Sequence, residues 1–150
     1  MAVEQAQPGA LRYDPWRDAG ERYPGWLIQR VDLMGLTEVT CVRRQIILLD
    51  KEMRRARRRC ALAHAIAHLD LAHTPVGVDY EAWQEREADK LAARRLIPLD
   101  ALADALRWTR STPEIAAELD VDVGILLARV DVIHPVERAV LIRAVAHRHP

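Results

Sequence analysis

The sequence has no charge excess, little cysteine and no long apolar run. Its 22 Lys+Arg balance 22 Asp+Glu, for a formal net charge of zero, which argues against a surface built for phosphate backbones or anionic lipid. Cysteine occurs twice, as Cys41 and Cys60, too few for a disulfide framework. No apolar stretch approaches the ~18–20 residues of a membrane span, and residues 1–10 carry no basic-then-apolar signal pattern. Internal repeats and low-complexity tracts are missing too. What remains is 150 residues, 50% hydrophobic and 29% charged, the size of one domain and apolar enough to bury a core. These bounds predict a soluble, cytoplasmic, single-domain protein.

Residues 1–25, rich in Pro and Gly, read as an N-terminal arm with at most one short helix at 15–22. Strand-like segments follow at 26–31, 37–42 and 45–49. The last two carry β-branched residues and are separated by Arg43-Arg44, which suggests an antiparallel hairpin with poor chemistry for a tight primed turn. From 51 to 73, Ala, Leu and Arg without Gly or Pro predict one long helix, ended by Thr74-Pro75-Val76-Gly77. Further helices are expected at 80–96, stopping before Pro98, and at 100–108. Another starts at Thr112-Pro113-Glu114 with a fair capping pattern, and two more fall at 123–130 and 135–147. The expected class is α+β: a small antiparallel sheet, then helices, with a core at 26–98 and a C-terminal helical region of the same domain at 99–150.

The chemistry concentrates in His64-Ala65-Ile66-Ala67-His68. Two histidines four apart on a helix share a face one turn apart, so both imidazoles can reach one metal ion at ~2.0–2.1 Å. A histidine pair alone is weak, because an Ala-rich helix acquires one by chance. A third ligand decides the matter. On the next helix Trp83, Glu87, Ala88, Leu91 and Ala92 read as an apolar stripe with Glu87 inside it, whereas Glu81, Glu85 and Asp89 lie off it. A carboxylate on a core-facing stripe is costly unless a cation pairs with it. Two imidazoles and one carboxylate around Zn²⁺ leave a fourth position open, the composition of a catalytic site.

The stretches "RRRCALAHAIAHLDLAH" and "EREADKLAARRLIP", with "QIILLD" ahead of the first and "YPGW" ahead of that, resemble the ImmA/IrrE family of small zinc metallopeptidases. The likeness covers roughly residues 13–130 and rests on the order and spacing of the two long motifs. It implies a minimal zincin-like fold, Zn²⁺ as cofactor and His64, His68 and Glu87 as metal ligands. It further implies a helix-turn-helix transcriptional repressor of a phage or mobile element as the protein cleaved.

One position departs from the family pattern. The glutamate that follows the first histidine, which takes a proton from the attacking water and hands it to the leaving amine, is here Ala65. Losing a positioned general base typically removes a factor of ~10²–10⁴, so no intact catalytic residue is expected and proteolysis should be impaired. Three readings stay open. Ala65 is an introduced change that traps a complex, or the mark of a natural pseudoprotease that holds a repressor or antirepressor, or an acid from elsewhere replaces it. Asp70, two positions past His68, is turned away by about 200°, and Glu81 and Glu85, the other acids to consider, leave the wrong face of their predicted helix.

Other features carry weaker signals. His73 is read as a residue behind the ligands or at the helix C-terminus, where a partly positive imidazole suits the dipole. Cys60, one turn before His64, is a conceivable thiolate ligand, but as a residue type it is more often a small buried apolar group. The basic run from Arg43 to Arg59 reads as a solvated face balanced by the acids at 81–89, or as a docking patch. Residues 111–130 have a helix-turn-helix outline, yet Glu114, Glu118, Asp120 and Asp122 outweigh Arg129, so packing on the core or against a partner protein is expected and direct nucleic-acid binding is not. His134, His147 and His149 are read as surface residues.

Overall fold

The computed structural model describes residues 12–74 and 78–147. The arm at 1–11, the Pro75–Gly77 part of the predicted helix stop and His149 lie outside the described residues. Helix α1 (Pro15–Arg22) starts where Asp14 accepts from the backbone N–H groups of Trp16 and Arg17, with proline in the first turn. Strands β1 (Leu27–Val31), β2 (Glu38–Cys41) and β3 (Ile46–Asp50) precede helices α2 (Arg55–Asp70) and α3 (Val78–Leu96). Helices α4 (Leu99–Trp108), α5 (Thr112–Glu118), α6 (Val123–Asp131) and α7 (Pro135–Ala146) complete the α+β fold.

The sheet is mixed, where an antiparallel one was expected. Its order is β1-β3-β2. The β2–β3 pair is antiparallel, with Glu38 opposite Leu49, but β1 runs parallel to β3. The hairpin turn avoids the conformation that Arg43-Arg44 would resist. It spans residues 42–45 and concentrates its positive φ on Gln45, at 55°, as longer hairpin loops do. With a neighbour on both sides, β3 is the centre of the sheet, and Ile47 and Leu49 are almost wholly buried against α2.

Helix α2 is buried on two faces. One, with Leu62, Ala65 and Ile66, packs with Ile47, Leu49 and Ala19 of α1. The other, with Cys60, Ala63 and Ala67, packs with Ala88, Ala92, Ala93 and Leu96 of α3. Alanines on both sides of that second seam let the two helices approach closely. The predicted 51–73 helix is shorter at both ends. Residues 51–54 form a turn that buries Met53. At the other end Ala72 adopts φ 51°, and the His73 N–H donates back to the His68 carbonyl at 3.1 Å, a left-handed C-terminal cap.

Asp70 binds three elements together: Arg22 Nη1 lies 2.7 Å away and Arg95 Nη1 2.6 Å, and the Tyr23 hydroxyl donates to it. These cations and the hydroxyl hold its carboxyl at about 2, although partial burial acts against them. Helices α5 and α6 do not stand free. Ile125 and Leu126 of α6 join the cluster that contains Ala88 and Ala92, so of the two expectations for the helix-turn-helix outline, the core takes it. Buried Arg129 donates to the Ile97 carbonyl at 2.9 Å and pairs with Glu137 of α7, also at 2.9 Å. Among the described residues, no helix is long and apolar enough to cross a membrane.

Candidate metal centre

The third face of α2, free of both seams, carries His64 and His68. Their Nε2 atoms converge to 2.9 Å. Glu85 reaches over from α3, with Oε2 3.0 Å from His64 Nε2 and Oε1 2.8 Å from His68 Nε2. One ligand atom from each of the three lies within 4.8 Å of the others. The far side of each ring is also held: His64 Nδ1 lies 2.8 Å from Asp89 Oδ1, and His68 Nδ1 lies 2.9 Å from His73 Nδ1. Donation from His64 Nδ1 to Asp89 leaves the Nε2 lone pair pointing inward, the state a metal requires.

This donor set fits a divalent cation. Two inward imidazole nitrogens and two carboxylate oxygens crowd electron-rich atoms into one place, and they repel unless a proton or a metal ion sits among them. Nitrogen and oxygen donors in the ratio two histidines to one carboxylate suit zinc and leave a coordination position for a reactant. Protonation responds to the same environment. Burial works against a charged His64, but the Asp89 hydrogen bond and the charges of Glu38, Asp89 and Glu85 outweigh it and raise its pKa. For His68, burial and the neighbouring His64 lower the pKa, which favours the neutral, ligating form.

The expected ligands are therefore brought together in part. His64 and His68 meet, and Glu85 joins them. The Glu87 carboxylate lies elsewhere, 3.1 Å from Lys90 Nζ. The reason is helix phase. The expected stripe holds at Ala88, Leu91 and Ala92, which lie in or against the core, but its other edge is Gln84, 5% exposed, in place of Trp83, 45% exposed. Glu85 and Asp89, one turn apart, flank that true face on the side of α2. Sequence reading turned Glu85 away, yet Glu85 and Asp89 repeat the four-residue spacing of His64 and His68, a signal present in the sequence. Ala65 is fully buried under the sheet. Cys60 is no part of the cluster: burial pushes its thiol up to about 12, and its sulfur accepts from the Asp122 N–H at 3.4 Å. In the basic run, Arg59 donates to the carbonyls of Asp120 and Tyr13, and Arg55 pairs with Asp120, so their partners are not the acids at 81–89. His134 caps α7 through Nδ1.

A residue that sequence reading missed is Glu38 of β2. It lines a cavity of about 510 Å³ together with His64, Glu85 and Asp89, and a second of about 490 Å³ together with His68, His73 and Glu85. Burial pushes its carboxyl up to about 7. The His64 charge opposes that rise, and the Glu85 and Asp89 carboxylates add to it.

A helix backed by a sheet, presenting two histidines one turn apart, with a glutamate returned to them by the following helix, is the arrangement of a zincin-like metallopeptidase. Residues 25–131 match the IrrE N-terminal-like domain of peptidase family M78, and the chain belongs to that metallopeptidase family. No curated protein and no solved structure matches it.

Proposed function

We propose that this chain is a cytoplasmic zinc peptidase domain of the ImmA/IrrE type, in which His64, His68 and Glu85 hold Zn²⁺. Its partner is a helix-turn-helix transcriptional repressor of a phage or mobile element, which it cleaves or holds. The observation that carries this reading is the convergence of Glu85 on both Nε2 atoms, with Asp89 and His73 fixing the rings from behind. Bound zinc would supply a Lewis acid for a peptide carbonyl and a more acidic water. The chain supplies the rest. β2 is an edge strand, and Thr37 and Glu38 line the cavity beside the histidines. An extended segment of the partner can pair with that edge by backbone hydrogen bonds while presenting a carbonyl to the site.

A second reading, a binding module without hydrolysis, is favoured by one observation: Ala65 offers no proton carrier at the position where the family has one. Elemental analysis and zinc competition test the metal. The wild type should hold one zinc per chain, Glu85→Gln should lose it, and Glu87→Gln should keep it. Protein that takes up no zinc overturns both readings. Co-expression with a helix-turn-helix repressor then separates them: mass-identified fragments mean cleavage, and co-purification of the intact repressor means holding.

A further inference from the structure

We propose that Glu38, on edge strand β2, is the proton-carrying carboxylate of this site and takes the place of the acid absent at position 65. The inference rests on the peptidase reading above and goes beyond it in naming the base. Four observations converge. Ala65 packs with Leu49 on the sheet-facing side of α2. Glu38 is the cross-strand partner of Leu49, so its side chain leaves the sheet on that same face, toward the helix that lacks the acid. Glu38 Oε2 is buried and, among the described residues, has no hydrogen-bond partner, a costly state when nothing is gained by it. Finally, Glu38 lines both cavities, one shared with His64 and the other with His68, which sets it alongside the cluster without making it a member.

In peptide hydrolysis the proton balance then closes on Glu38. As the water oxygen bonds to the scissile carbonyl carbon, one water proton passes to Glu38. As the C–N bond breaks, Glu38 returns that proton to the departing nitrogen. The second water proton leaves the new carboxyl group and completes the ammonium, so the products are a carboxylate and an ammonium and Glu38 ends ionised as it began.

The test compares wild type, Glu38→Gln, Glu85→Gln and the double variant Glu38→Gln/Ala65→Glu by zinc competition, by calorimetry with acetohydroxamic acid, and by cleavage of a casein peptide mixture. A hydroxamic acid gives up a proton when it chelates zinc, so its affinity reports a neighbouring acceptor without any turnover. Expected for Glu38→Gln is zinc affinity within about threefold of wild type, hydroxamate binding weaker by about tenfold, and cleavage slower by ~10²–10⁴, partly restored in the double variant. Loss of zinc from Glu38→Gln as severe as from Glu85→Gln overturns the inference, because Glu38 is then a ligand. Unchanged hydroxamate binding and cleavage in Glu38→Gln overturns it, as does zinc-loaded wild type that cleaves nothing. Wild type that binds no zinc overturns the underlying peptidase reading, so the zinc arm separates the two failures.

Discussion

An imidazole becomes a good ligand only when its other nitrogen is committed. Asp89 does this for His64 at 2.8 Å. Asp89→Ala should therefore weaken zinc binding by about 10–100-fold, read by competition with a chromophoric chelator, while leaving the helices intact by circular dichroism. Glu38 makes the opposite trade. Its carboxyl, pushed up to about 7, holds a proton more tightly folded than unfolded. The metal-free protein should lose stability as pH rises from about 4.5 toward 7 and then level off. Glu38→Gln removes that loss, and at pH 8 it should be more stable than wild type by about 1–3 kcal/mol in urea titrations. Much of this site was legible in the sequence. The histidine pair was plain from its spacing. Glu85 was not, because Trp83, 45% exposed, drew the expected face toward Glu87, whereas the buried edge runs through the polar Gln84. Glu38 was invisible, since only strand pairing brings it to a helix nearly thirty residues further along the chain.

At the scale of elements, Asp70 ties α1, α2 and α3. Its carboxyl is held at about 2, below its unfolded value, so its contribution is fully present above about pH 4 and fades as pH falls toward 2. Asp70→Asn should lower stability at pH 7 by about 2 kcal/mol, and the deficit should shrink on acidification, measured by thermal melts across pH. The helices themselves were readable to within a few residues, because Gly, Pro and capping side chains mark their ends. Two features were not. A left-handed Ala72 stops α2 early, a conformation alanine does not advertise. The parallel pairing of β1 with β3 depends on how the chain returns across the sheet, and hydrophobic alternation reads the same for either direction.

For the whole molecule, buried Arg129 fastens the end of α3 to α6 and α7 through the Ile97 carbonyl and Glu137. The sequence suggested that α6 packs inward from its lack of basic residues, but not that its one arginine is among the most buried side chains. Arg129→Ala leaves the carbonyl unpaired and Glu137 free to rehydrate, for a cost of about 2–3 kcal/mol. Urea unfolding should show that loss in the midpoint.

The alanine seam between α2 and α3 has a consequence for ion choice. Helices that meet through methyl groups sit near the short limit of ~8 Å between axes, so the histidines on one and the glutamate on the other have a fixed gap to span. If the site takes zinc as proposed, a larger ion has to wedge the pair open against a tightly packed interior, so zinc should outcompete calcium in competition titrations by size as well as by ligand type.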